Sequence, residues 1–339
     1  MGKKKLSFGC YIYQEGLEYN EIKRIVIECE KLGFDSVWLK DNFGSWLDTY
    51  LSCNRPIGKE ENSDTIAKMD NSNESFLECC TTLSSLAAST KSIRLGAILV
   101  NLHRSPSITA KMISTLDVIS NGRIEFGLSA GWYKTEIESY GLVYPHKTIT
   151  RVQMLEEGIK IIKKMLTVDE EYSSYKGRYY TISNAKCKPK PIQKPLPIWI
   201  GGGGKKTLQL AAKYCHGWNY GLCTYEMYKQ KIFLLNRYCD IVNRDRKDII
   251  KAWHGIMLLI KGNEIKYGES IKNVIDNKLV NNRLKNIDLV VTGTYENIIK
   301  EIERYMDIGV SYFIIHFADL PNLTSLKLFG KYVIPHFLH

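Results

Sequence analysis

The chain has 339 residues, 44% of them hydrophobic, and a formal net charge of +11 at pH 7. That length exceeds the usual single domain but is within the range of single α/β barrels. No apolar stretch reaches the roughly 18 residues of a transmembrane helix, and the N-terminal apolar run is too short for a signal peptide. We therefore expect a globular protein with a sizeable core and no membrane partner.

The positive charge is spread along the chain, without an arginine-rich helix or a nucleic-acid-binding module. It indicates a lysine-rich surface, or alternatively a cleft for a polyanionic small ligand, and we expect no nucleic-acid partner. The nine cysteines form no CxxC pair and no zinc-ligand spacing. They predict reduced, mostly buried thiols in a cytoplasmic protein, and no metal site.

Strand-like and helix-like segments alternate along the chain. Candidate strands lie at 6–13, 36–41, 93–100, 123–131, 197–202, 217–221, 251–260 and 311–318. Candidate helices lie at 20–34, 75–90, 105–120, 149–167, 205–215, 224–242 and 295–309, with a last helix in the tail.

Eight strands that alternate with helices predict a parallel sheet, because parallel strands need crossover connections. Eight such units close into a (β/α)8 TIM barrel, here as one domain over residues 1–339, and a doubly wound open sheet is the alternative. Two polar stretches, at about 50–74 and 262–287, interrupt the alternation and are predicted insertions at the C-terminal mouth. Long loops there are either lids or disordered surface.

The stretch PIWIGGGGKK, residues 197–206, has four glycines between a short strand and a helix. Bare N–H groups and the positive end of a helix bind anions, and glycine allows close approach. A flexible turn is the alternative, although four successive glycines cost backbone entropy. We predict a phosphate-binding loop, with added charge from Lys205 and Lys206. The stretch matches neither the Walker pattern nor GxGxxG.

Other polar residues follow the predicted strands and belong to the same mouth. Asp41 can accept a hydrogen bond from a ring N–H, or can be a turn or N-cap residue. Glu15 is a candidate acid or base, or a solvated loop residue, and His103 can titrate near neutrality. His254 and His316 lie within strands and are expected to be hydrogen-bonded core residues.

Aromatic and glycine residues at the mouth favour a flat-ring pocket. Trp46, Trp132 and Trp218 follow strands, where core packing is the alternative. GLSAGW, residues 127–132, ends another strand with a glycine and can offer further backbone donors. No G-x-S-x-G elbow or metal-ligand cluster is present, so the chemistry is expected to depend on a bound cofactor acting on a small-molecule substrate.

Four stretches together resemble the luciferase-like flavin and deazaflavin oxidoreductases, most closely their coenzyme F420-dependent branch. They span nearly the whole chain in order: EKLGFDSVWLKDNF, RSPSITAKMISTLDVISNGRIEFGLSAGWYKTEIESYG, KGRYYTISNAKCKPKPIQKPLPIWIGGGG and GVSYFIIHFADLP. The resemblance implies an α/β barrel, usually a homodimer, that holds the deazaflavin at its C-terminal mouth.

The resemblance assigns cofactor-binding roles to several residues. Asp41 matches the acidic residue near the deazaflavin ring, and Ile98 and Leu99 match a non-proline cis peptide behind that ring. Asn101 follows where it can reach the cofactor's side chain. The remaining matches are at the phosphate loop and the strand end beside it: Gly201, Gly202, Gly203, Ala130, Gly131 and Trp132.

The resemblance also suggests the type of reaction. Glu15 and Trp46 align with active-site residues of sugar-phosphate-oxidising members, and with His103 they are the predicted catalytic residues. However, Asn42 replaces the histidine base of alcohol-oxidising members, and Trp132 replaces a catalytic carboxylate. We therefore expect hydride transfer from reduced F420 to an electrophilic acceptor such as an enone or imine. The alternatives are an FMN-dependent monooxygenase with a separate reductase and a non-catalytic flavin-binding protein.

Overall fold

The computed structural model describes residues 6–44, 75–167, 169, 171–260 and 290–338. Trp46 and the predicted insertions at 50–74 and 262–287 lie outside the described residues. No helix in the described ranges is long and apolar enough to cross a membrane.

The described residues form eleven strands. In chain order these are β1 (Ser7–Ile12), β2 (Ser36–Lys40), β3 (Arg94–Val100), β4 (Ile124–Ser129), β5 (Tyr172–Lys176), β6 (Thr181–Lys186), β7 (Ile198–Gly201), β8 (Gly217–Gly221), β9 (Ile250–Leu259), β10 (Val290–Gly293) and β11 (Tyr312–Phe317). Eight of them close into a parallel ring in the order β1-β2-β3-β4-β7-β8-β9-β11, with β11 paired to β1. The predicted (β/α)8 barrel is therefore confirmed, and the open-sheet alternative is wrong.

Helices surround this ring. They are α1 (Tyr19–Lys31), α2 (Cys79–Ser89), α3 (Pro106–Ile119), α4 (Lys134–Ser139), α5 (Thr148–Leu166), α6 (Lys205–Tyr214), α7 (Tyr225–Ile241), α8 (Tyr295–Asp307), α9 (Thr324–Leu328) and α10 (Ile334–Leu338), with a π-helical turn at Phe329–Val333 and a 3-10 turn at Arg246–Asp248. Their starts follow local sequence signals. At α3, the Ser105 hydroxyl accepts from the Ile108 N–H and Pro106 opens the first turn.

The structure adds elements that the sequence pattern did not predict. Strands β5 and β6 form an antiparallel hairpin outside the barrel, and its mostly exposed faces give no hydrophobic alternation strong enough to identify. The Glu157 carboxylate of α5 accepts the N–H groups of Arg178, Tyr179 and Tyr180 at 2.8, 3.0 and 3.1 Å. This carboxylate therefore holds the hairpin turn against the helix layer.

The barrel interior changes character along its axis. Trp38, Trp199 and Tyr312 meet edge to face, with ring centroids 5.4 to 6.2 Å apart. Trp199 Nε1 donates to the buried Glu125 carboxylate at 2.6 Å, and Tyr312 donates its hydroxyl hydrogen to Ser36. These rings fill the lower barrel, so a ligand can enter only above them, at the C-terminal ends of the strands.

Candidate active site

A cleft opens at the C-terminal mouth. Ile98, Ser129, Gly201 and His254 lie on central barrel strands, yet each keeps partial exposure to solvent. Ile98 packs with the interior aromatic cluster, and a Cβ on Gly201 would lie 2.8 Å from its Cγ2 atom. We therefore infer that these four residues line an opening at the mouth, and we call this opening the cleft.

Glycine is present for different structural reasons at the four positions of the predicted phosphate loop. A Cβ on Gly203 would lie 2.5 Å from the Tyr220 ring, so Gly203, like Gly201, is required by close packing within the protein. Gly202 has φ +117°, which side chains rarely adopt. Its N–H donates to the backbone oxygen of Asn219 at 3.2 Å, so that donor is already used.

Gly204 is the position where the loop faces open space. It is the N-cap of α6, has ordinary φ −67°, and makes no side-chain cap. A Cβ there would meet only Thr207 Oγ1, at 3.6 Å. The first N–H groups of a helix lack intrahelical partners and favour anions, and Lys205 and Lys206 follow on the surface. The start of α6 therefore fits a phosphate.

The Asp41 carboxylate connects the loops after β2 and β3. Its Oδ2 accepts from the Val100 N–H at 2.8 Å and from Arg104 at 2.8 Å, and His103 Nδ1 lies 3.3 Å away. Arg104 also donates to Glu78 at 2.6 Å. The other oxygen, Oδ1, is buried and has no hydrogen-bond partner among the described residues. A ligand N–H at that oxygen would offset its desolvation.

His103 is enclosed between two carboxylates. Its Nε2 lies 3.4 Å from Glu136, and the Phe43 ring stacks on it with centroids 4.3 Å apart. Burial lowers the pKa of His103, but Asp41 and Glu136 outweigh it and raise the pKa above its usual value. Glu136 also accepts from Asn42 Nδ2 and from the Phe43 N–H, at 3.0 and 2.7 Å. The His103 side chain is inaccessible to solvent and connects Asp41 to Glu136. Its catalytic role stays a prediction.

One expectation at β3 is wrong. The cis peptide bonds of the described chain all precede proline, so the Ile98–Leu99 bond is not cis. Strand β3 instead keeps an unbroken parallel register with β4 through Ile98, Leu99 and Val100. Asn101 is buried and donates to the Tyr180 hydroxyl at 3.1 Å, so its side chain joins the hairpin. Its predicted cofactor contact remains untested.

The end of β4 supplies one wall of the cleft. Ala130 is partly exposed. Gly131 has φ +77°, and its backbone oxygen accepts a hydrogen bond from Arg151 Nε at 3.0 Å. Trp132 is partly exposed and stacks on Tyr133, with centroids 5.3 Å apart. Trp218, in contrast, is fully buried and packs beside Tyr220 and Tyr228. The predicted wall therefore lacks Trp218, because alternation along β8 turns Trp218 towards the helices.

Glu15 is paired deep in the mouth. Its carboxylate lies 3.3 Å from Lys40 Nζ, and the two side chains are 3% and 1% exposed. The ammonium also lies 3.8 Å from the centre of the Tyr13 ring. Burial of both charges costs desolvation that only close pairing offsets. The solvated-loop alternative for Glu15 is therefore wrong.

Sequence reasoning missed three residues of this interior. Tyr13 and Lys40 were not singled out, and His254 was assigned to the core. His254 Nε2 lies 3.3 Å from the Tyr13 hydroxyl, and the residue is half-buried rather than fully buried. The sequence did contain a signal for Lys40. Alternate residues of a strand point to the same side, so in SVWLK Lys40 faces inward with Trp38, and a lysine is unusual in the interior.

The raised pKa of His103 predicts a pH-dependent contribution to stability. A folded-state pKa above the unfolded value of about 6.5 stabilises the fold fully below pH ~6.5, and this contribution is lost as pH rises through the folded pKa. His103→Gln should therefore reduce the free energy of unfolding more at pH 6 than at pH 9. Urea unfolding at several pH values measures the difference.

His216→Gln is the matched control, because the pKa of His216 is shifted in the opposite direction from that of His103. Burial and the nearby Lys163 and Arg244 lower the pKa of His216, while its Nδ1 accepts the Ile198 N–H at 3.0 Å. The cost of that substitution should increase as pH rises towards about 6.5. An effect of His103→Gln that is independent of pH would contradict an ionised His103.

Comparisons with known proteins agree with this barrel. An F420-dependent glucose-6-phosphate dehydrogenase of Microbacterium testaceum is 24% identical over 97% of both chains. An F420-dependent secondary alcohol dehydrogenase solved with an F420-acetone adduct has a TM-score of 0.78 at 18% identity, over 97% of this chain and 98% of that one. The long-chain alkane monooxygenase LadA has a TM-score of 0.78 at 14% identity, over 99% and 92%. The luciferase-like monooxygenase profile matches residues 7–238, so this chain belongs to the luciferase-like family, as the sequence motifs predict.

Proposed function

We propose that this protein is an F420-dependent oxidoreductase that transfers a hydride from reduced F420 to a small electrophilic acceptor. The observation that carries the proposal is the uncapped start of α6 at Gly204, which follows in the same loop as Gly201, the residue that packs against Ile98. The F420-dependent relative, aligned along 97% of both chains, supports the same cofactor. Hydride transfer is the chemistry that this cofactor supplies when it is bound.

Two observations support the fit of the site to a cofactor with a phosphate and a polar ring. The N–H groups at the start of α6 can bind the phosphate, while Asp41 Oδ1 is a buried acceptor without a partner among the described residues. Trp132 and Ile98 supply partly exposed apolar surface for a ring between these points. Aromatic and aliphatic walls with a few polar contacts are typical of cofactor clefts.

Two positions at the mouth differ from those of alcohol-oxidising and sugar-phosphate-oxidising relatives, and the proposed reduction of an acceptor rests on this difference. Asn42 stands where alcohol-oxidising relatives of the predicted branch have a histidine, and its amide is committed to Glu136 at 3.0 Å. An amide cannot serve as a general base near neutral pH. Trp132 likewise offers no carboxylate. Neither position therefore supplies the base or carboxylate that such relatives use on their substrates.

Cofactor preference tests this proposal directly. Titration of the protein with oxidised F420 and with FMN, followed by fluorescence at moderate salt, should show tight F420 binding and weak FMN binding. The reverse preference, with substrate-dependent oxygen uptake on reduced FMN, would assign the protein to the monooxygenases. Binding of neither cofactor would contradict both functions.

A matched pair of substitutions at Gly204 tests the phosphate position. Both Gly204→Asp and Gly204→Asn fit the existing φ and provide an N-cap, so neither should lower the melting temperature. Only the aspartate places a negative charge against the phosphate. F420 binding should therefore weaken at least about tenfold more in Gly204→Asp than in Gly204→Asn, because the carboxylate repels the nearby phosphate. Equal F420 affinity of the two variants would place the phosphate elsewhere.

We also propose that the protein is a homodimer through α2 and α3. A groove of about 280 Å³ lies between these helices, lined by Ser84, Met112 and Thr115 among others. Ile108 and Ile119, on the same helix face as Met112, are 55% and 49% exposed. Contiguous apolar surface of this kind is typical of protein interfaces.

Light scattering of the eluting protein tests the assembly. Ile119→Lys should convert a dimer to a monomer, because it introduces an unpaired charge at the centre of the apolar face. Ile241→Lys on α7 is the control, since Ile241 is 69% exposed and remote in sequence from the groove. A wild-type mass of one chain, or a dimer that survives Ile119→Lys, would contradict this interface.

A further inference from the structure

His254 presents one ring nitrogen to the cleft. The residue lies in β9, between β8 and β11, and is half-buried. Its Nε2 meets the Tyr13 hydroxyl at 3.3 Å, and the Tyr11 ring packs against it at 4.5 Å between centroids. Among the described residues, Nδ1 has no hydrogen-bond partner. Nδ1 is therefore the atom available to a molecule in the cleft.

The surroundings keep this imidazole neutral. Burial, followed by the Lys40 ammonium, lowers the pKa of His254 to about 3. Lys40 faces the cluster from β2 and is paired with Glu15. From β11, His316 stacks on Tyr13 at 3.9 Å and its Nδ1 is bonded to the Tyr11 carbonyl. A neutral imidazole has one donor and one acceptor nitrogen, so the Tyr13 contact sets the role of Nδ1.

Lys40 determines the direction of the Tyr13–His254 hydrogen bond. Its ammonium lies 3.8 Å from the centre of the Tyr13 ring. A cation at this distance stabilises electron density on the phenol and opposes positive charge on the imidazole. Beside this cation the phenol is the stronger proton donor, so the arrangement favours donation of the Tyr13 hydroxyl hydrogen to Nε2 of His254. In that tautomer Nδ1 carries the ring hydrogen and is a donor.

A chain of contacts connects His254 to the predicted ring-binding floor at Ile98. Lys40 is the register partner of Ile98 on the neighbouring strand. The contacts continue from Lys40 to Tyr13 and from Tyr13 to His254. Ile98 also packs with the interior cluster that contains Tyr11 and Tyr13, so Ile98 and His254 belong to the same interior of the barrel.

We propose that the acceptor is a carbonyl compound whose oxygen accepts a hydrogen bond from Nδ1–H of His254, and that Tyr13 and His254 supply the proton that completes its reduction. The inference rests on the proposed function, since reduced F420 is the source of the hydride. A neutral imidazole donor stabilises a developing alkoxide without being ionised beforehand.

The step balances in atoms and electrons. The carbonyl carbon gains the hydride with its electron pair, and the π electrons of the C=O bond move to oxygen. That oxygen takes the Nδ1 hydrogen of His254 as a proton, and Nε2 takes the hydroxyl proton of Tyr13. The phenolate beside Lys40 then takes the proton back from Nε2 while Nδ1 takes a proton from solvent water, so both groups return to their starting state. The product is an alcohol, and the imidazole changes tautomer without ever becoming a cation.

Nitrogen NMR of the cofactor-free protein tests the tautomer. With ¹⁵N-labelled histidine, His254→Gln identifies the His254 signals, and long-range ¹H–¹⁵N correlations distinguish the two tautomers. The wild type should show hydrogen on Nδ1 and remain neutral down to pH 5. Tyr13→Phe should abolish the single tautomer, whereas Tyr11→Phe, which keeps the ring contact, should not. Hydrogen on Nε2 in the wild type, or an imidazolium at pH 6, would overturn the proposal.

Acetone labelled with ¹³C at the carbonyl tests the substrate class, because the smallest ketone enters any cleft that admits a larger one. The proposal expects a saturable downfield shift of the carbonyl signal in wild type that His254→Gln removes. No saturable shift in the wild type, or the same shift in His254→Gln, would overturn it. These readouts need no cofactor, so a protein that fails to bind F420 but passes both tests would sink only the proposed function.

Discussion

The buried carboxylate of Asp41 is the contact on which the arrangement of the mouth depends. It accepts the Val100 N–H and the Arg104 guanidinium and lies beside His103, so one side chain joins the ends of β2 and β3 to the start of α3. Through His103 and Glu136 the connection extends to the backbone of Phe43 and to α4. Removal of one member leaves its partners buried and uncompensated, which typically costs about 3–5 kcal/mol. This network therefore sets the shape of the cleft before any ligand binds.

The lower and upper parts of the barrel interior have different compositions and roles. Trp38, Trp199 and Tyr312 close the lower part with aromatic contacts and satisfy their polar atoms locally. Above them, the interior has an ammonium, a carboxylate, a phenol and an imidazole within contact of one another. Barrel interiors are usually filled by branched aliphatic residues. Ionisable groups in that position indicate that this part of the interior is retained for recognition or catalysis rather than for packing.

The sequence was sufficient for the architecture because the regular alternation of apolar strands and capped helices is local information. It was also sufficient to identify the glycine stretch and Asp41, which stand at strand ends. It was insufficient where a residue's role depends on a distant strand. Tyr13 and His254 are 241 positions apart yet share a hydrogen bond, and Trp218 faces outward only because the barrel closes with β8 in its observed orientation. At Ile98–Leu99 the resemblance implied a cis bond, whereas this chain keeps the ordinary trans bond and an unbroken pairing with β4.

The unequal reasons behind the four glycines have a consequence for how this protein can diversify. Gly201 and Gly203 are fixed by Ile98 and Tyr220, and Gly202 by its own backbone angle, so these positions are closed to substitution whatever ligand is bound. Gly204 and the two lysines after it have room and ordinary geometry. Exchange of one anionic ligand for another, in nature or in directed evolution, therefore has an accessible route through residues 204–206. Residues 201–203 would stay constant, while substitutions at residues 204–206 would change which anion is bound.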